Sequence, residues 1–484
     1  MDRTVLLLVA GLAIYCGVLL AVGRFTGVDE VAFKAAGREW AQSGRFAAPE
    51  LQGFLDVEPP VEEVWFGHMP LYTFAFGVFV KVLGFGPSSS VLFDALIHAL
   101  LAALTFWVTL RFSADGDRRP ALLAALAVLP LGVWGRADEL AMCLGMAAVL
   151  VVSFSRLGAG LLLGCTAVTS VVAAAVFGLI AVGLLFVSRS VHPIRRALSV
   201  FLISLVSAAG LLAPLLTMHP GALRQFLAHG VRQSPDYRYG LAFTLTYGRS
   251  IVLSLVAALI VIAFAAVRSG RRDVRNLQRL AVIVALSGLL LALFPAKYYY
   301  LWFLGPLGIA FGSLAIAERL VRAPVVVVAF ALYLGATTDF ARSVLISAAL
   351  PQEQRLSANV EIADRLIEPG SVVLASEFWS SIADRVRYRS LVHGIPDMKG
   401  VDYVILTSNG AGGPGRVQWL APRLSAGLEQ FEVVHENLPR DVPRFLGVPL
   451  SHSAWGFGTR ILRRVDPRAA AEVSRIGVEG EVTP

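Results

Sequence analysis

Leu71-Tyr-Thr-Phe-Ala-Phe-Gly-Val-Phe-Val-Lys-Val-Leu-Gly-Phe85 is strongly apolar, yet it falls short of the roughly twenty residues that carry a helix across a bilayer. Whether it crosses sets the sidedness of everything that follows. If it does not cross, one side of the membrane holds Arg3, Arg111 with Arg118 and Arg119, Arg156, Arg189 with Arg195 and Arg196, Arg268 with Arg271, Arg272, Arg275 and Arg279, and Arg319 with Arg322. All these turns then obey the positive-inside rule together. If it does cross, either the N-terminus or nearly every one of those turns lies on the wrong face. Residues 71–85 are therefore read as a helix lying in, or dipping into, the outer leaflet.

Composition agrees that lipid is the main solvent. The chain has 484 residues, 56% hydrophobic and 16% charged, with a mean hydropathy of +0.69, where a soluble domain carries roughly 25% charged residues. The net charge of +8 comes from Arg at span ends, so it reports topology and makes no case for nucleic acid. Cys16, Cys143 and Cys165 all sit in apolar runs, as packing residues, with no spacing for a disulfide framework or a CxxC metal site.

Windows of about twenty apolar residues place spans near 5–23, 91–110, 120–134, 139–155, 158–172, 173–187, 197–217, 250–267, 279–294, 299–317 and 323–338. The first has no clear small-x-small cleavage site and is expected to stay in the chain. The fold class is a polytopic α-helical membrane protein of about eleven transmembrane helices, with in-plane helices in the first external loop and a small external α/β domain at the C-terminus. Residues 1–338 form the membrane module, with the external loop at 24–70; residues 339–484 form the external domain. The N-terminus is cytoplasmic. Labelling of introduced cysteines from outside is expected to reach positions 53, 135 and 410 and to miss 116 and 270. Outside labelling at 116 would show that 71–85 spans.

Residues 24–70, the turn Gly135-Arg-Ala-Asp-Glu139 and everything past about 339 then share one compartment. The first loop holds eight acids against four bases. Val31 to Ser43 has helical periodicity, with Phe33, Ala36 and Trp40 on one stripe, as an amphipathic helix lying along the membrane would. The external loop 218–249 breaks the charge rule, with Arg224, Arg232, Arg238 and Arg249 against Asp236. It is either tolerated noise or a docking place for an anion. Adjacent Asp29 and Glu30 are the sharper signal, because acids so close to lipid are costly to hold charged and usually occupy a polar cavity with a role. The plainer reading is a helix N-terminus at Val31, capped by Asp29.

In order and sidedness these motifs resemble the GT-C superfamily of integral-membrane glycosyltransferases, the group of the protein O-mannosyltransferases and the lipid A aminoarabinose transferases. The resemblance covers about residues 1–320. Asp29-Glu30 stands as the acid pair after the first span. His68-Met-Pro-Leu-Tyr72 matches the Pro-Pro-Leu-Tyr-like close of the first external loop, with Met69 in place of the first Pro. Arg136-Ala-Asp138 matches the second acidic site, and Lys297-Tyr-Tyr-Tyr300 a later basic-aromatic segment.

The resemblance implies sugar transfer from a polyprenyl-phosphate donor to an extracytoplasmic glycan, lipid or protein acceptor, at the plasma membrane. Arg-over-Lys and Ala-rich usage gives the membrane a bacterial cast. Such transfer needs a base for the acceptor hydroxyl and groups to neutralise the departing phosphate. Asp29 is the candidate base; Glu30 either takes that role or holds Asp29 or a cation. Asp138 or Glu139 forms the opposite wall, orienting the acceptor or sharing Mg or Mn, with Asp29 and Asp138 as the candidate ligands. Alternatively Arg136 and the acids simply pair at a span boundary. Lys297, one of four Lys against 38 Arg, meets the lipid phosphate or snorkels in an aromatic belt. His68, Tyr72, Arg136 and Tyr298 complete the candidate substrate-binding set, with His68 equally readable as an interfacial residue.

Two readings from other classes stand beside this one: a lipid or polysaccharide transporter with ion-coupling acids, and a non-catalytic envelope-assembly partner that keeps the fold. Past residue 340, Ser371–Ala375, Asp402–Leu406 and Phe431–Glu436 read as strands and 354–367 as a helix. Gly410-Ala-Gly-Gly-Pro-Gly415 lacks the Lys of a phosphate loop and reads as a turn.

Overall fold

A computed structural model describes residues 2–22, 30–52, 58–113, 115–131, 136–187, 192–232, 275–293, 298–317, 351–375, 378–391, 398–408, 428–437, 444–445, 448–449 and 458–465. The predicted spans 250–267 and 323–338, Asp29, Lys297, the Tyr298 side chain, Arg238, Asp236, Arg249 and the 410–415 turn lie outside these residues.

The helices start and stop where the chain's own chemistry dictates. Helix α1 is Arg3–Val22 and α2 is Glu30–Ser43. Pro70 opens α3 (Pro70–Leu83), which closes on Gly84 at φ +82°, and Pro87 opens α4 (Pro87–Phe112). Asp117 caps α5 (Arg118–Val128) by accepting from the Arg119 amide, and Ser155 caps α7 (Arg156–Ala167) through Gly158. Between them lies α6 (Ala137–Val151); α8 is Val171–Val187, α9 Pro193–Met218 and α10 Ala222–Arg232. Helices α11 (Arg275–Leu293) and α12 (Gly305–Ala317) follow.

Among the described residues three helices are long and apolar enough to cross a membrane: α1, α4 and α9. The roughly eleven full spans expected from hydropathy windows are therefore not all present as long helices. The predicted span 120–134 is cut at Val128, where Leu129-Pro130-Leu131 turns to 3-10 geometry, since Pro cannot continue the i to i−4 ladder. The apolar stretch 158–187 divides into α7 and α8, each below spanning length. Residues 70–83 form one helix of 14 residues, also below it.

Helix α4 is the central post, packed against α1, α5, α6 and α12. Gly160 and Gly164 lay α7 directly on α9: a Cβ at either would strike Ile203 or Ser207, the close approach that small residues spaced by four permit. The crossing of α2 over α3 is tighter. A Cβ on Gly37 would collide with the Thr73 carbonyl, and one on Gly77 would lie 2.7 Å from the Gly37 carbonyl oxygen.

Helix α2 departs from the expected surface helix. Residues Glu30 through Arg38 are all buried, on every side of the helix, because Lys34 and Arg38 carry their charges into ion pairs within the protein and do not reach for water.

After helix α13 (Leu356–Leu366) come β1 (Val372–Ala375), a short helix Trp379–Ile382, β2 (Arg387–Ser390), β3 (Tyr403–Ser408), β4 (Phe431–Asn437), the two-residue β5 (Arg444–Phe445) and β6 (Val448–Pro449), and β7 (Gly458–Arg464). The main sheet runs β2-β1-β3-β7-β4, parallel at β2-β1-β3 and antiparallel across β7. Three strands match the expected ones. Strand β2, Arg-Tyr-Arg-Ser, and the Arg-rich β7 escaped a reading keyed to apolar runs.

The sheet region is tied to the first loop by Arg38. Its guanidinium donates to Glu50 at 3.0 Å, to Asp384 at 2.7 and 3.0 Å and to the Ala383 carbonyl at 2.8 Å, and lies 4.9 Å from the Phe85 ring. Trp379 donates to the same Glu50 oxygen at 3.1 Å and packs edge-on against Phe85. Burial pushes the Glu50 carboxyl above its ordinary range, with Arg38 opposing.

Candidate functional site

The first loop is pinned by backbone capping before any candidate side chain is placed. Gln225, on α10, donates to the carbonyls of Pro59 and Val64 at 2.7 Å each and accepts from the Phe66 amide at 2.8 Å. Trp65 donates to the Ala32 carbonyl at 2.9 Å, and Thr73 to the Phe33 carbonyl at 2.7 Å. Those contacts fix the end of the loop against α2.

Phe33 becomes a platform between the candidates. The His68 ring stacks on it with centroids 4.0 Å apart, and the Arg136 guanidinium lies 5.3 Å from its centroid, within reach of a cation–π contact. His229 of α10 meets His68 edge-on at 4.5 Å, with Trp65 edge-on to both. Arg136 also donates to Asp138 at 2.8 Å. Residues 33, 68, 136 and 229, scattered along the chain, thus gather one turn from Glu30.

Glu30 is held from within. Lys34, one turn on and fully buried, donates to Glu30 at 2.9 Å, to Asp94 at 2.8 Å and to the Ser90 hydroxyl at 2.8 Å. The Ser90 hydroxyl donates in turn to Glu30. Tyr72 donates to the other Asp94 oxygen at 2.9 Å, so this candidate substrate contact is spent inside the network. One ammonium sits between two carboxylates with two hydroxyl donors beside it, and among the described residues the second Glu30 oxygen, Oε2, is buried without a hydrogen-bond partner. Burial alone would push the Lys34 ammonium down, but Asp94 and Glu30 together hold it above its ordinary value.

Glu139, 1% exposed, turns inward to His98 of α4, whose Nδ1 lies 3.2 Å from its Oε1. Thus Glu30, His68, Tyr72, Arg136, Asp138 and Glu139 collect around α2, α4 and the start of α6. Sequence reading missed Lys34, Ser90, Asp94, His98 and His229. Asp94 and His98 carried a usable signal, being ionisable residues four apart inside an apolar span. So did Lys34, four residues after Glu30.

Of the two candidate divalent-cation ligands, Asp29 lies outside the described residues. No group of three or more His, Cys, Asp or Glu side chains converges among them, and Asp138 is paired with Arg136.

No protein family and no curated protein matches the sequence. Among solved structures the chain is similar to ArnT from Cupriavidus metallidurans bound to undecaprenyl phosphate, at 15% identity and a TM-score of 0.48 over 96% of this chain and 98% of that one. It is similar to the Archaeoglobus fulgidus oligosaccharyltransferase tethered with an acceptor peptide, at 10% identity and a TM-score of 0.49, covering 92% and 74%. It is also similar to the mycobacterial arabinofuranosyltransferase AftD, at 14% and 0.49, covering 96% of this chain and 40% of that one. Each TM-score is below 0.5, so what this chain does has to be read from its own side chains.

Proposed function

We propose that this chain is a GT-C-type membrane glycosyltransferase that moves a sugar from a polyprenyl-phosphate donor to an extracytoplasmic acceptor hydroxyl. The observation that carries the reading is the Phe33 platform, which sets His68 and Arg136 beside the helix that begins at Glu30. Arg136 also pairs with Asp138 at 2.8 Å, which supports a site with both a cation and an acid. Asp29 takes the acceptor proton, the acceptor oxygen bonds to the anomeric carbon, and the bond from that carbon to the phosphate oxygen breaks. The polyprenyl phosphate leaves with its negative charge offset by Arg136 and His68. Asp138, held by Arg136, orients the acceptor from the opposite wall. The membrane is a bacterial inner membrane, with the reacting side and the sheet region external.

The test is turnover in proteoliposomes supplied with polyprenyl-phosphate sugars: donor should disappear as free polyprenyl phosphate appears. Passage of labelled lipid across the bilayer without release of polyprenyl phosphate would replace this reading with a transporter. Lys297 and Tyr298 belong to the proposal as donor contacts. Lys297→Met retains the apolar stem and loses the charge, and a charge-assisted contact is worth roughly 1.5 to 3 kcal/mol. Donor affinity or turnover is expected to fall about tenfold to a hundredfold. Kinetics within about twofold of the parent would remove Lys297 from the site.

A further inference from the structure

Ser90, Asp94 and His98 recur every four residues along α4 and form one polar stripe on an otherwise apolar helix. Lys34 engages the first two. His98, fully buried, serves two other helices. Its Nε2 lies 3.1 Å from the Val128 carbonyl oxygen and 3.0 Å from that of Leu129, where α5 gives way to the 3-10 turn at Pro130. Carbonyls at a helix C-terminus lack an intrahelical donor, and a histidine N–H is one of the groups that satisfies them. Both partners are acceptors, so Nε2 carries a hydrogen. Nδ1 lies 3.2 Å from Oε1 of Glu139, in the first turn of α6, and that contact is attractive only with a hydrogen between the two atoms.

One ring therefore joins the electronegative end of α5 to an acid at the electropositive start of α6. One turn further along α6, Cys143 donates to the Ile97 carbonyl at 3.3 Å and ties α6 to α4 again beside His98. Arg136 immediately precedes α6, between the two arms of this contact in sequence, and its guanidinium lies 5.3 Å from the Phe33 centroid. Phe33 belongs to α2. The guanidinium and the ring thus approach from different helices, and where α6 begins decides whether they meet.

We infer that His98 is a positioning residue: by holding the end of α5 and the start of α6 at one point of α4, it fixes Arg136 against the Phe33 ring. This rests on the glycosyltransferase reading above, in which Arg136 offsets the charge of the departing phosphate.

The test removes the contact without stranding a buried charge. His98→Phe with Glu139→Met replaces both members by apolar groups, which is far less damaging than removing one. In the proteoliposome assay this pair of substitutions should lower kcat/KM for the donor about tenfold, whereas in an Arg136→Gln background it should lower it less than about twofold, because residues acting through one another are not additive. A similar loss in both backgrounds, or none in the first, overturns the inference. Should the apolar pair not yield folded protein, Glu139→Met alone severs the α6 arm and leaves Nε2–H of neutral His98 on the α5 carbonyls; the same comparison then decides. Absence of polyprenyl phosphate release by the parent would instead defeat the functional reading, and amide hydrogen exchange tests the inference alone. The segment 129–139 should exchange about tenfold faster in the variant, as a locally loosened unit does, with β3 exchanging as in the parent. Unchanged exchange at 129–139 overturns it.

Discussion

Asp29→Asn is expected to abolish sugar transfer while leaving expression and donor binding near those of the parent. The loss should be about two to four orders of magnitude in rate, the usual worth of a positioned base. Substitution by Asn keeps the size and the capping ability of the side chain, since both residues are good N-caps, so a helix-capping role at the start of α2 would be preserved. A capping residue and a base are therefore told apart by this one change: normal turnover assigns Asp29 to the cap, and normal stability without turnover assigns it to the chemistry. Full activity in both Asp29→Asn and Glu30→Gln would remove the acid pair from the mechanism altogether.

Lys34→Met is the second large effect, and it falls on folding. Methionine fills the volume but leaves Glu30 and Asp94 buried with no ammonium between them, and breaking a buried ion pair from one side costs about 3 to 5 kcal/mol. The variant should lose most of its monodisperse folded yield in detergent. Removing the stranded charges as well, in Lys34→Met with Glu30→Gln and Asp94→Asn, should restore much of the yield, because replacing every member of a buried ionic cluster is far less damaging than replacing one. A single variant as stable as the parent would mean that the cluster contributes nothing to holding α2 on α4.

Much of this could be read from the chain. Apolar windows located the three long helices, and the run 71–85 holds a helix of 14 residues. His68 and Arg136 were identified as candidates from motif order, and they flank one ring. The α4 stripe was harder, since Asp94 and His98 leave hydropathy high and were absorbed into an apolar window; the partners that explain them, Lys34 and Glu139, lie far off in sequence. Arg38 gave no signal in the sequence, because Asp384 and Ala383 are more than three hundred residues away. His229 sat in a loop judged only by its arginines. Local pattern speaks to how a segment meets its solvent; it is silent on which distant segment displaces that solvent.

The close approach of Gly37 and Gly77 limits how the wall that carries Phe33 can move. With no side chains between them at the crossing, α2 and α3 cannot roll or slide past one another without a clash, and the Thr73 bond to the Phe33 carbonyl ties them again one turn earlier. The pair is a single stiff wall carrying Phe33, with His68 just before α3 begins.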